Sequence, residues 1–414
     1  MFVKPLKNFD RTLETAPDKS ITHRAVMFNA FARGTAVVTN ALLGEDCLST
    51  IACMRALGAD ISVDGSTVRV TGAPAFRDAA LYAGNSGTTT RLLAGLLAGM
   101  GVTASIDGDA SLRSRPMKRV TEPLTAMGAD ITSTDGKAPL YIKPASLRGI
   151  DYKMPVASAQ VKSAILLAGL HASGVTRVTE PVRSRDHTEL MLRAMGADVR
   201  ADGLTVSVRA GDLVSADVEV PGDASSAAFL LGAAAVVKGG RVTVKRVGLN
   251  PTRTGAFEVL RRMGADITVD RRSGGVEPYG DITLSQAPLS PFEITAEEVP
   301  SLIDELPLLA AVACYAEGTS VIGGAAELKV KESDRIATTA EALRALGGDV
   351  TPTDDGMIIR GRGGLKGGGK VNARLDHRIA MTAAVAALGS ELGCEIEGAE
   401  TAAVSYPGFW EIIC

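Results

Sequence analysis

Three cations stand at or near expected helix starts, where their sign is wrong. Lys19 follows Asp18 in Asp18-Lys19-Ser20, Arg24 comes shortly after, and Arg378 closes Asp376-His377-Arg378. A helix N-terminus presents unpaired N–H groups and a partial positive charge. An acidic cap suits it, whereas a Lys or Arg there costs about 0.3–1 kcal/mol. That penalty vanishes when an anion binds at the same place. The chemistry expected is therefore recognition of phosphate- or carboxylate-bearing molecules. A solvated basic residue accounts for any one of the three, but less readily for three at equivalent places.

Gly84-Asn85-Ser86-Gly87-Thr88-Thr89-Thr90-Arg91 is small and hydroxyl-rich at another helix start. Backbone N–H groups could approach a phosphate closely there. No Gly-Lys-Ser/Thr follows, so it is not a P-loop. A glycine turn ending in an N-cap fits the same residues equally well. Three further segments open second helices: Arg113-Ser114-Arg115-Pro116, with Pro116 expected at the first helical position; Ser184-Arg185-Asp186-His187; and Lys331-Glu332-Ser333-Asp334-Arg335. In the last, spacing alone favours a self-paired charged helix face, contributing about 0.2–0.5 kcal/mol per pair, over an anion site. Asp223, Asp304 and Asp376 are expected to be N-caps, and His171 and His187 surface or cap residues.

The elements that position these groups repeat along the chain. An Ala/Leu-rich helix ends at Gly, a short β-branched run follows, and a second helix closes on Leu/Met-Gly-Ala/Gly-Asp. That ending is legible at Leu57–Asp60, Met127–Asp130, Met195–Asp198, Met263–Asp266 and Leu346–Asp349. In the third copy, Ser158 to Ala172 should be a buried helix and Thr176 to Thr179 a strand. Arg185 to Met195 should be a helix with Leu190, Met191 and Ala194 on one face, followed by a strand pair about Asp202-Gly203. The unit is βαβαββ-like, about 70 residues long. Six units fit, the sixth incomplete, with its second helix starting near Tyr406-Pro407. A strand from Val3 to Leu13 is expected to complete it. The domains predicted are residues 18–219, and residues 1–17 with 220–414, joined by two short crossings that suit a hinge.

Length and composition agree with two globular domains. The chain has 414 residues, 46% hydrophobic and 22% charged, with 4% aromatic residues, so Ala, Leu, Val, Ile and Met must build the cores. A formal charge of -3 speaks against a nucleic-acid surface. The five cysteines show no CxxC, so free thiols in the cytoplasm are expected. No apolar run approaches the roughly 20 residues of a membrane span, and no signal peptide is expected.

Taken in order, these segments resemble the 5-enolpyruvylshikimate-3-phosphate (EPSP) synthase family of enolpyruvyl transferases over nearly the whole chain. The marks are DKSITHRA from Asp18, GNSGTTTRLLAG from Gly84, RSRPM from Arg113, SAQVKSA from Ser158, SRDHTE from Ser184, GDASSAAF from Gly222, KESDRI from Lys331 and DHRIAM from Asp376. The resemblance implies an α/β fold of two domains, each of three βαβαββ units in an inside-out barrel-like arrangement, with helix N-termini facing an interdomain cleft. It implies transfer of the enolpyruvyl group of phosphoenolpyruvate to the 5-hydroxyl of shikimate 3-phosphate, without metal or cofactor, by a cytoplasmic monomer that binds neither nucleic acid nor membrane.

By the same resemblance, Lys19, Asp304 and Glu332 are catalytic, the last two as an acid/base pair. Shikimate 3-phosphate falls to Lys19, Ser20, Arg24, Ser158, Ala159, Gln160, Ser184, Asp304 and Lys331. Phosphoenolpyruvate falls to Lys19, Asn85, Gly87, Arg115, Gln160, Arg335 and Arg378. Ala159 stands where many members have a second Ser. Val404 stands where many have a Lys, a lost charge that Arg185 could partly offset. The related transfer to UDP-N-acetylglucosamine belongs to a family with a Cys on a second-unit loop, and Ile106 to Pro116 has none. A non-catalytic phosphate-binding repeat protein is the remaining alternative; Lys19, Asp304, Glu332 and Arg335 together argue against it.

Overall fold

The Leu/Met-Gly endings stop their helices by a backbone device. Gly58 follows the helix Glu45–Leu57 at φ 115°, a left-handed conformation that favours glycine. Its N–H donates to the Arg55 carbonyl at 3.0 Å, and that of Ala59 to Met54 at 3.1 Å. Two otherwise unpaired carbonyls are satisfied, and Asp60 opens the next strand. Gly128, Gly196, Gly264 and Gly347 all adopt positive φ at the corresponding places.

The computed structural model describes every residue except Pro74 and Ser273. It is mixed α/β, with five four-stranded sheets and one three-stranded sheet among the described residues. In one, Ala79–Tyr82 runs parallel to Ala104–Asp107, which pairs antiparallel with Lys137–Lys143, itself antiparallel to Asp130–Thr134. The order recurs in Asp151–Lys153, Val175–Thr179, Thr205–Arg209 and Val199–Asp202. It recurs again in Glu293–Ile294, Glu317–Ile322, Met357–Arg362 and Asp349–Pro352.

Distant segments enter the other three sheets. Val218–Glu219 pairs parallel with Thr35–Thr39, and Asp10–Glu14 pairs parallel with Arg241–Gly248. Phe2–Val3 pairs antiparallel with Cys394–Glu397, whose parallel partner is Lys370–Asn372. Of the segment Val3 to Leu13, then, only its first residue lies in that last sheet.

The chain divides into two compact units: Met1–Ala16 with Pro221–Gly274 and Pro278–Cys414, and Pro17–Val220 with Gly275–Glu277. Each has its own apolar core. In the first unit every residue of the helices Ala224–Val236, Leu306–Ala313 and His377–Leu388 is buried. In the second, the helices Gly87–Leu97 and Ala159–Gly169 cross closely. A Cβ on Gly95 would lie 2.2 Å from the Ala164 carbonyl oxygen. Small residues permit this approach, and dense packing compensates for the scarcity of aromatic rings.

The second helix of the third copy is His187–Ala194, and it buries Met191 and Leu192, with Met195 beyond it, while Ala194 is exposed. The larger side chains at i, i+1 and i+4 form the inward line, which displaces the face expected through Ala194. Near the C-terminus, Ala399–Val404 is a 3-10 segment and the last helix is Phe409–Ile413, beginning after Gly408. No helix among the described residues is long and apolar enough to cross a membrane.

Candidate active site

In the unit holding Pro17–Val220, Asp18 caps the helix Lys19–Phe31, accepting from the Ile21 N–H at 2.8 Å. Lys19 is thereby left at the first helical position, its Nζ 3.1 Å from Asp46 Oδ2. Burial opposes ionisation of Asp46, but the Lys19 charge and hydrogen bond outweigh it and hold the carboxyl below its ordinary range. Arg24 lies one turn deeper than expected, because Lys19 is already the first helical residue. Its Nε donates to Thr188 Oγ1 at 2.7 Å, and its two other nitrogens to the Ser20 carbonyl at 3.0 Å and Ser163 Oγ at 3.1 Å. Burial pulls its pKa down to about 10, so it stays charged at neutral pH.

A buried hydroxyl chain links this helix start to the glycine-rich one. His23 Nδ1 is 2.7 Å from Thr50 Oγ1, Thr50 is 2.7 Å from Thr89 Oγ1, and Thr89 donates to Ser86 Oγ at 2.7 Å. Ser86 is the N-cap of Gly87–Leu97. Desolvation lowers His23 to about 3, so its ring is neutral. A Cβ on Gly87 would lie 3.1 Å from an Arg91 nitrogen and 3.3 Å from one of Arg115, so two guanidiniums converge on this bare backbone. Arg115 donates to Asn85 Oδ1. Arg91 donates to Gln160 Oε1 at 2.6 Å, and Gln160 Nε2 to Thr88 Oγ1 at 3.0 Å. Burial, with the like charges of Arg115 and Arg119, lowers Arg91 to about 10. Pro116 does not open a helix: a short helix Ala110–Ser114 precedes it, and the next, Lys118–Ala126, starts after Met117.

Ser158 caps the helix Ala159–Gly169, and Ser184 donates to Glu180. Beneath them Lys162, 1% exposed, lies 2.7 Å from both Glu180 and Glu189. Burial disfavours its charge, but the two carboxylates raise its pKa. His187 is not a surface residue: it is buried, with Nδ1 2.7 Å from Glu277.

In the other unit, a 3-10 turn Ile303–Glu305 precedes Leu306–Ala313, which makes Glu305 the N-cap residue in place of Asp304. Asp304 Oδ1 instead lies 3.2 Å from Lys331 Nζ and 3.3 Å from Arg335. Lys331 and Glu332 precede the helix Arg335–Ala345, which Asp334 caps, so no charged helix face forms. Glu332 Oε2 reaches Arg335 at 2.6 Å. Burial pushes the Glu332 carboxyl up, but Arg335, then His377 and Lys331, hold it well below the usual range. Arg335 is fully buried, its Nε 2.8 Å from Asp376 Oδ2. Asp376 caps His377–Leu388, accepting from the Arg378 N–H at 2.9 Å. Arg378 donates to Ser225 Oγ and stands over the Phe229 ring at 5.7 Å. Val404 is exposed at the end of its 3-10 segment.

Within each unit the structure thus places most of the expected residues at or near helix starts, with Arg24 a turn deeper and Arg115 at the end of Ala110–Ser114. Lys19, Ser20, Arg24, Asn85, Gly87, Arg115, Ser158, Ala159, Gln160 and Ser184 lie in one; Asp304, Lys331, Glu332, Arg335 and Arg378 lie in the other. Asp46, Ser163, Thr188, Lys162, Glu180, Ser225 and Glu305 were missed. The available signal was a single Lys inside the otherwise apolar run Ser158 to Ala172, which requires buried acids nearby.

Cations beside helix starts suit a protein that handles anions. The EPSP synthase (3-phosphoshikimate 1-carboxyvinyltransferase) family model matches residues 3–413. The 3-phosphoshikimate 1-carboxyvinyltransferases of Bacillus licheniformis and Bacillus subtilis are each 51% identical, over 96% and 95% of this chain and 94% of theirs. The EPSP synthase structure from Acinetobacter baumannii superposes with a TM-score of 0.88 at 44% identity, covering 99% of this chain and 96% of that one. The enolpyruvyl transferase NikO from Streptomyces tendae shares the fold, with a TM-score of 0.78 at 22% identity over 99% of this chain and 95% of that one. The chain belongs to the EPSP synthase family.

Proposed function

We propose that Lys19, Asp304 and Glu332 carry the proton transfers and charge stabilisation of the family's reaction in this chain. The chain transfers the enolpyruvyl group of phosphoenolpyruvate to shikimate 3-phosphate, a step of aromatic amino-acid biosynthesis. The 5-hydroxyl oxygen attacks C2 of phosphoenolpyruvate as C3 gains a proton and a base takes the hydroxyl proton. The tetrahedral intermediate then loses a C3 proton and the C2–O bond to phosphate breaks. Each positioned proton transfer contributes about 10²–10⁴-fold.

The observation that carries this reading is Glu332, ionised 2.6 Å from an Arg335 guanidinium that also lies 3.3 Å from Asp304. A substrate carboxylate drawn to Arg335 would weaken its hold on Glu332, raise that carboxyl's pKa and ready it to deliver the C3 proton. Asp304, beside Lys331, would take the hydroxyl proton. Shikimate 3-phosphate would lie against Lys19, Ser20, Arg24, Ser158, Ala159, Gln160, Ser184, Asp304 and Lys331. Phosphoenolpyruvate would lie against Lys19, Asn85, Gly87, Arg115, Gln160, Arg335 and Arg378.

Both sets must reach one pair of substrates. The reading therefore includes two three-repeat domains, split near residues 17 and 220, with first-helix N-termini turned to a shared cleft that closes on binding in a cytoplasmic monomer. Equilibrium titration tests the assignment: Lys19→Met should weaken both substrates and Lys331→Met chiefly shikimate 3-phosphate. Unchanged affinities in a folded Lys19→Met protein would overturn it.

A further inference from the structure

Asp304 and Glu305 are adjacent in sequence and serve different arginines. Asp304 lies against Lys331 and Arg335, whereas Glu305 turns to Ser225 and Arg378. Glu305 is fully buried. One of its oxygens accepts from Ser225 Oγ, and the same oxygen lies 3.6 Å from the Arg378 nitrogen that donates to Ser225. The three residues come from three helix starts: Ser225 from Ala224–Val236, Glu305 before Leu306–Ala313, and Arg378 from His377–Leu388. A carboxylate at 0% exposure is costly unless it compensates a nearby charge. Here the second Glu305 oxygen and Arg378 Nε are both buried without a hydrogen-bond partner among the described residues. A folding role alone would be better met by a fully satisfied pair.

We propose that Glu305 is the positioning residue for Arg378. Ser225 bridges the two, and Glu305 fixes where the guanidinium points. Arg335 is held in parallel fashion by Asp376 at 2.8 Å. Arg335 and Arg378 then each have a buried acid, and only one of the two acids, Asp376, also caps its helix through a side-chain hydrogen bond. An unheld Arg, with several rotatable bonds, would lose rotamer freedom on each binding event. Glu305 removes that loss for phosphoenolpyruvate and does nothing for shikimate 3-phosphate. The inference rests on the reading that Arg378 holds phosphoenolpyruvate.

Steady-state kinetics and calorimetric titration of the full-length protein test it. Glu305→Ala should raise KM for phosphoenolpyruvate about tenfold and leave the shikimate 3-phosphate Kd within about twofold. Glu305→Gln, which can still accept from Ser225, should recover most of the loss. Glu305→Ala/Arg378→Ala should be no worse for phosphoenolpyruvate than Arg378→Ala alone. If Glu305→Ala does not fold, Ser225→Ala takes its place, with a KM increase of about threefold expected. The proposal is overturned by an unchanged KM in Glu305→Ala or its replacement, by equal losses for both substrates, or by additive effects in the double variant. An Arg378→Ala protein with unaltered KM for phosphoenolpyruvate would instead refute the underlying site assignment.

Discussion

Glu332 Oε2 lies 2.6 Å from the guanidinium of Arg335, a side chain whose Nε is in turn 2.8 Å from the buried carboxylate of Asp376. Glu332 is therefore ionised at rest and partly exposed, whereas Asp376 is sealed in. Replacing Glu332 by Gln removes the proposed proton carrier but retains shape. Turnover should fall at least about 10²-fold while the shikimate 3-phosphate Kd stays within about twofold. Single-turnover kinetics beside calorimetry read the two quantities; lost binding in a folded variant would contradict the role assigned.

His23 gives a pH prediction for stability. Burial depresses its folded pKa to about 3, against an unfolded value of about 6.5. Below pH 6.5 the unfolded chain binds a proton that the native protein does not. Stability is thus fully present above 6.5 and falls with pH until the folded value is reached, by up to about 1.4 kcal/mol per pH unit. His23→Gln should lower stability near neutrality and flatten this slope between pH 6.5 and 5. Denaturant melts at several pH values measure it, and parallel curves for the two proteins would count against a neutral buried ring.

Two glycines of one motif should respond differently to Ala. At Gly95 the new Cβ would meet the backbone of Ala164 at 2.2 Å, so the helices must separate and at least about 2 kcal/mol of stability should be lost. At Gly87 it would meet side-chain nitrogens of Arg91 and Arg115, not backbone, at 3.1 and 3.3 Å. There the melting curve should shift little, while KM for phosphoenolpyruvate rises about tenfold. A reversal of these two phenotypes would be inconsistent with the placement of the arginines.

Leu375 is 80% exposed and left-handed at φ 58°, next to Arg374 at φ 52°. A non-glycine side chain there costs about 1–2 kcal/mol and buries little in return. Leu375→Gly should stabilise by about 0.5–1 kcal/mol after the greater freedom of its unfolded chain is deducted. A destabilised variant in urea melts would show that the residue packs more than its exposure implies.

The sequence made much of this legible because the repeat is written in local signals. Gly58, Gly128, Gly196, Gly264 and Gly347 mark helix ends by a conformation that favours glycine, and Asp18, Ser86, Asp223 and Asp376 mark helix starts by capping. Long-range partners leave no such mark. Asp10–Glu14 and Val218–Glu219 both read as short strands, but nothing in their alternation says that the first pairs with Arg241–Gly248 and the second with Thr35–Thr39. Asp304 looked like a cap because Asp commonly caps; a 3-10 turn moved the helix start one residue on and freed its carboxylate for Lys331 and Arg335. His187 looked exposed because its partner, Glu277, lies 90 residues away.

The most direct test of the account is phosphate release from phosphoenolpyruvate by the purified protein, with shikimate 3-phosphate or UDP-N-acetylglucosamine as acceptor. Release stoichiometric with enolpyruvyl product, and dependent on shikimate 3-phosphate alone, is the result predicted. Release with UDP-N-acetylglucosamine at a comparable rate, or none with shikimate 3-phosphate from a folded protein, would contradict it.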